Sequence, residues 1–262
     1  MICKMKVEEK QKKAARRYGI LDSFRGITLV SMVIYHVCWD LVYLFGKDWS
    51  WYKGGWAYIW QQSICWSFIL LSGFCWSLGK KPVKRGLIVF GAGAVVSVVT
   101  LLFLPEDRVL FGVLTLIGSS MLLMAWLGRF FQKVPPLPGL MGAFALFAVT
   151  RNVNMGYLGF ERWNMTGLPE SLYQGYFMTF LGFPERGFYS TDYFSLIPWF
   201  FLFLSGYFIY RMIEDRKEFM DKYFMASWQP LSFLGRHSLL IYMLHQPAAF
   251  GVLTLLDGTG LL

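Results

Sequence analysis

Apolar residues run along this chain in blocks of about twenty, and most of the charge lies in the short breaks between them. A block of that length, wound at about 1.5 Å per residue, crosses a hydrocarbon core of about 30 Å. The pattern predicts seven spans, at about 24–46, 57–78, 84–104, 109–128, 137–152, 193–212 and 237–256, the fifth being the shortest. Backbone polar groups in lipid must be satisfied within the segment, so each span is expected to be a helix. The fold expected is therefore an all-α polytopic bundle, a single domain over 1–262 with a basic arm at 1–23. The apolar run after that arm is long, carries His and Asp, and lacks a small-residue cleavage site, so it reads as a retained first helix.

One stretch breaks the pattern. Residues 153–192 are rich in aromatics, glycine and proline, and unstructured loops of that length are uncommon unless they serve a site. Residues around 171–183 are expected at the interface or re-entering the membrane. An interfacial aromatic belt and a platform for a substrate both fit this composition.

The charges orient the bundle. With the N-terminus in the cytoplasm, residues 1–25 and the loops at 79–85, 128–136 and 211–236 carry 8, 4, 2 and 5 lysines and arginines. The opposite side receives Lys47, Lys53, Arg108, Arg151, Arg162 and Arg186. This is the positive-inside bias, and it favours N-in, C-out. It also accounts for the net charge of +9 without nucleic acid. The four cysteines lack metal-like spacing, and no metal is expected.

Candidate chemistry lies in the histidines. There are three, His36, His237 and His245, all in or at the edge of spans. Ionisable groups at bilayer depth are costly and usually face a protein interior. His36 lies ten residues past Gly26, about 15 Å deep; His245 lies about 12 Å past His237. The first and last spans thus bring two imidazoles to similar depth. Asp40, four residues after His36, shares its helix face and is expected to orient that imidazole as an acid orients a catalytic base. Mutual neutralisation of the two is the plainer reading. At the basic edge, Arg25, Lys81, Arg85 and Arg236 suit the phosphates of a ligand, although the orientation bias alone would put basic residues there. On the far side, Asp192, Tyr193 and Trp199 suit an acceptor sugar, while Asp192 also suits the N-terminal cap of the sixth span.

Three stretches together resemble membrane acyltransferases that modify surface polysaccharides. "RYGILDSFRGITLVSMVIYH" carries their Arg, ten residues, then His, at Arg25 and His36. "FILLSGFCWSLG", residues 68–79, is similar to their second-helix turn, and "SFLGRHSLLIYMLHQP", residues 232–247, to a late helix. "GFPERGFYSTDYFSLIPW", residues 182–199, narrows the resemblance to small bacterial members of the heparan-alpha-glucosaminide N-acetyltransferase catalytic-domain family. The resemblance implies an integral protein of the cytoplasmic membrane. It would use acetyl-CoA from the cytoplasm as acyl donor and pass acetyl to an amino sugar or other envelope glycan on the external face. His36 would act as base or acyl carrier, and His245 would take part if the first and last helices face each other. The partners implied are membrane lipid, acyl-CoA and the acceptor glycan, with a homodimer left open. The chain departs from the lysosomal branch, which has more helices and holds Asn where His36 stands here. The catalytic role therefore carries to His36 from the Arg-to-His spacing.

Other classes compete. A haem cytochrome could use His36 and His245 as axial ligands, but nothing else in the chain supports it. A retinal protein needs a lysine in the last span, and residues 237–256 contain none. A transporter or flippase could use the same polar core without acyl transfer.

Overall fold

The computed structural model describes residues 18–262, so most of the basic arm lies outside the described residues. Helices form where the apolar blocks lie: α1 (Gly19–Tyr43), α2 (Gly55–Trp76), α3 (Pro82–Phe103), α4 (Val113–Phe131) and α5 (Pro136–Thr150). A short α6 (Gly175–Leu181) precedes α7 (Leu196–Ile213), α8 (Lys217–Phe224), α9 (Gln229–Arg236) and α10 (Ser238–Gly258). Proline in the first turn of α3, α5 and α9 costs no hydrogen bond, because those N–H groups have no partner inside the helix.

Among the described residues five helices, α1, α3, α4, α7 and α10, are long and apolar enough to cross a membrane. The other two expected spans are also helical. The 22 residues of α2 include no Asp, Glu, Lys or Arg, but tryptophan and glutamine dilute its hydropathy. The 15 residues of α5 are too few to cross the core untilted.

Helix α7 is the hub. It packs between α2 and α5, and Leu202, Phe203, Tyr207 and Phe208 are buried there with Ile69, Met124 and Phe147. The α2–α7 crossing is close because glycines lie on it. Gly73 lies against the Phe203 carbonyl and Gly206 against the Leu70 carbonyl, so a Cβ at either would meet backbone. Small residues serve membrane helix contacts this way, since apolar burial alone gives little drive between helices already in lipid. Helix α9 packs on the start of α1 by the same device, through Gly26 and Gly235.

The all-α expectation needs one correction. Within 153–192, β1 (Tyr157–Phe160) and β2 (Trp163–Gly167) form an antiparallel hairpin with Phe160 opposite Trp163. Its two-residue turn is Glu161-Arg162, with Glu161 at φ 51°, where hairpins of this length favour glycine. Tertiary contacts hold this turn. Arg151 Nε lies 3.2 Å from the Glu161 carboxylate, Tyr58 donates to the same carboxylate at 2.7 Å, and Asn152 Nδ2 donates to the Glu161 carbonyl at 2.8 Å. Residues 153–192 are thus a built structure containing the hairpin and, within 171–183, α6.

A second set of contacts closes this face. The segment entering α4 is laced to the segment entering α7. Thr191 N donates to the Arg108 carbonyl at 3.1 Å, Leu110 N to Ser190 Oγ at 2.9 Å and Phe194 N to the Phe111 carbonyl at 2.9 Å. That lacing holds Asp192 in place.

Candidate functional site

Helices α1 and α10 run side by side in the same direction. Three contacts climb both helices together: His36 with His245, Asp40 with Gln246, and Phe45 with Phe250. The imidazole centroids of His36 and His245 are 4.8 Å apart, edge to face. The first and last helices therefore face each other, which is the condition for His245 to take part.

Backbone carbonyls set the tautomer of each neutral ring. His36 Nδ1 lies 2.9 Å from the Met32 carbonyl, and His245 Nδ1 is bonded to the Tyr242 carbonyl. A carbonyl only accepts, so each Nδ1 carries the proton and each Nε2 presents a lone pair. That is the state a base or an acyl-accepting imidazole needs.

Asp40 is not bonded to His36. Its carboxylate is 0% exposed, and Oδ1 accepts from Gln246 Nε2 at 2.6 Å. The spacing placed Asp40 on the correct helix face, but the carbonyl of the preceding turn occupies His36 Nδ1 and α10 supplies Asp40 with another partner. Among the described residues, Asp40 Oδ2, Gln246 Oε1 and His245 Nε2 are buried without hydrogen-bond partners. Three such acceptors, each costing about 1–3 kcal/mol when left unpaired, make a site that lacks donors.

Asp192, at the end of the 153–192 stretch, joins this group through Tyr242 of α10. Its Oδ2 accepts from Val113 N at 3.2 Å and from the Tyr242 hydroxyl at 3.4 Å. Val113 is the first residue of α4, so the carboxylate lies at the positive end of that helix. The expected cap of the following helix is corrected: Ser195 is the N-cap residue of α7, while Asp192 serves α4 across the chain. Burial pushes the Asp192 carboxyl above its ordinary range; the Val113 N–H and the Tyr242 hydroxyl pull it back.

The other external residues lie elsewhere. Trp199 is 4% exposed, with Arg151 over its ring at 4.8 Å and Phe147 and Phe194 against it. The Tyr193 hydroxyl donates to the Thr179 carbonyl and fixes α6. The structure gives both side chains internal partners rather than an open wall for a sugar.

At the opposite end, Arg25 and Arg85 come together. Arg25 Nη1 pairs with Asp22 at 3.2 Å, and both guanidiniums lie by Cys75. Arg85 folds over Gly79, where a Cβ would collide with it, and its Nη1 is buried without a hydrogen-bond partner. Two neighbouring guanidiniums, one with an unused donor, fit a phosphate group. Lys81, in a left-handed conformation before α3, and Arg236, at the end of α9, are exposed. Among the described residues no group of three His, Cys, Asp or Glu is arranged to hold a metal ion.

Sequence reasoning missed Tyr242, Gln246 and Gly112. The first two had a signal: with His245 they make an i, i+3, i+4 polar stripe on an otherwise apolar helix. Gly112 had none. A Cβ there would lie 2.8 Å from Asp192 Oδ2, so its role is to leave room for that carboxylate.

Comparison with known families gives one result. Residues 17–247 match the family model of the heparan-alpha-glucosaminide N-acetyltransferase catalytic domain, which covers most of the chain. No curated protein and no solved structure matches.

Proposed function

Because the chain belongs to the heparan-alpha-glucosaminide N-acetyltransferase catalytic family, we propose that it moves an acetyl group from acetyl-CoA, bound at its basic edge, to an amino sugar or other envelope glycan reaching it from the opposite face. The observation that supports this most is the pair of imidazoles with bonded Nδ1 and open Nε2, beside buried acceptors that lack donors. An amine or hydroxyl brings the donor hydrogens that this cluster is missing.

The residues divide the work along α1. Arg25 and Arg85 would hold the CoA phosphates. Eleven residues, about 16 Å of helix, separate Arg25 from His36, a span suited to an extended pantetheine arm. In direct transfer, Nε2 of His36 takes the proton of the acceptor N–H or O–H. The freed electron pair forms the bond to the acetyl carbon, the C–S bond breaks, and the proton passes to the CoA thiolate. In the two-step route, Nε2 itself bonds to the acetyl carbon as C–S breaks and CoA leaves as the thiolate; the acceptor then displaces the imidazole, and the proton it loses neutralises the thiolate. His245 stands where it can exchange a proton with His36 in either route.

The test is incubation of purified protein with radiolabelled acetyl-CoA and a panel of amino sugars and envelope glycans. Label transferred to a glycan supports the reading. Specific glycan binding with no transfer overturns it in favour of a transporter.

A further inference from the structure

The spacing assigned the orienting acid of the histidine pair to Asp40, yet the structure gives Asp40 to Gln246. The pair still needs a counter-charge. When an imidazole takes a proton from the nucleophile it becomes a cation in surroundings of low dielectric, where an unpaired charge is costly. The groups facing the pair are Asp40 and Tyr35 on α1, Tyr242 on α10, and Asp192 from the segment before α7, with Cys65 of α2 beside Asp192. Asp40 and Asp192 are the two acids among them.

We propose that Asp192, acting through Tyr242, is the positioning acid of the His36–His245 pair. Three observations carry it. First, Tyr242 connects the two. Its hydroxyl donates to Asp192 Oδ2 at 3.4 Å, its own carbonyl accepts from His245 Nδ1, and its ring lies 5.4 Å from the His245 ring. Second, Asp192 is held from its own side. Val113 N–H points at it, Gly112 leaves it space, and the bonds of Thr191 and Phe194 to Arg108 and Phe111 fix its backbone. Third, the His245 ring lies 4.8 Å from that of His36, so the contacts run without a break from Asp192 through Tyr242 and His245 to His36. Asp192 is thereby the acid that the 153–192 segment ties by contact to the buried histidines. The acetyl-transfer reading is needed only for the kinetic half of the test.

The experiment compares Asp192→Asn, Tyr242→Phe and the double variant in purified full-length protein. Asn keeps an acceptor for Val113 N–H and loses only the charge. Each single change is expected to lower kcat about 10- to 100-fold, the low end of what a positioned acid–base group contributes, with both KM values within about twofold of wild type. The double variant should be no worse than the poorer single, because the two act as one unit. An acceptor KM that rises alone, or losses that multiply, overturns the proposal. The second half needs no activity. Diethyl pyrocarbonate modifies only a neutral imidazole, and mass spectrometry reads His36 and His245 separately. At mildly acidic pH, Asp192→Asn should speed their modification, since the charge favouring the imidazolium is gone. An unchanged rate at both rings overturns the proposal, whatever the protein transfers.

Discussion

Gly112→Ala isolates the Asp192 contact with one methyl group. Gly112 has φ −71° and ψ 178°, which alanine adopts without strain. On backbone grounds alone, alanine would stabilise the protein by about 0.4–1 kcal/mol, by narrowing the unfolded ensemble. The structure predicts the opposite sign. The new Cβ would lie 2.8 Å from Asp192 Oδ2 and 2.9 Å from Val109 Cγ1. Val109 can turn a methyl away, but Asp192 is pinned by the bonds on either side of it. Its carboxylate must withdraw from Val113 N–H, losing a hydrogen bond to a charged acceptor worth about 1.5–3 kcal/mol. The net expectation is a loss of about 1–2 kcal/mol in reversible unfolding in detergent, with a fall in kcat. The assay is a double-mutant cycle. In an Asp192→Ala background the same change meets no carboxylate and should be neutral or slightly stabilising. Equal effects of Gly112→Ala in both backgrounds would refute the reasoning, because the clash would then not involve Asp192.

Four further outcomes are expected. His36→Ala should abolish acetyl transfer while CoA binding, followed by calorimetry, stays near wild type. Gly79→Ala should displace the Arg85 guanidinium and weaken CoA binding by about 1.5–3 kcal/mol, roughly 10- to 150-fold in Kd, matching Arg85→Met. Arg151→Met should cost about 3 kcal/mol in unfolding, the lower end for breaking a buried ion pair because Glu161 keeps about a third of its surface, and should loosen the hairpin to protease. Cysteines placed at Lys81 and Tyr157 should be labelled by an impermeant maleimide from opposite sides of the membrane, and labelling from one side would overturn the alternation of the spans.

Two kinds of information were needed to describe this protein, and they divide by range. Apolar block length is local and is imposed by the thickness of a bilayer, so every expected span is met by a helix with ends only a few residues away. Helical rise is equally local, and it put His36 and His245 at similar heights on the first and last spans; that those spans are neighbours, with the two rings in contact, is decided by the packing. What side chains bond to is not local. Asp40 has the correct spacing for His36, but Nδ1 of His36 turns to its own backbone and Asp40 takes an amide from a helix 206 residues away in the chain. The hairpin turn Glu161-Arg162 carries no turn signal, because Arg151, Asn152 and Tyr58 hold it instead. Asp192 reads in sequence as an acceptor-binding residue or as a cap for the helix that follows it; only the lacing of 108–113 to 189–194 sends it to α4 and Tyr242. The sequence by itself therefore determined the helices and the spacing of the polar residues along them, since both follow from apolar block length and helical rise. The tertiary structure alone decided which acid serves which base, since a hydrogen bond goes to whichever partner the packing brings within about 3 Å.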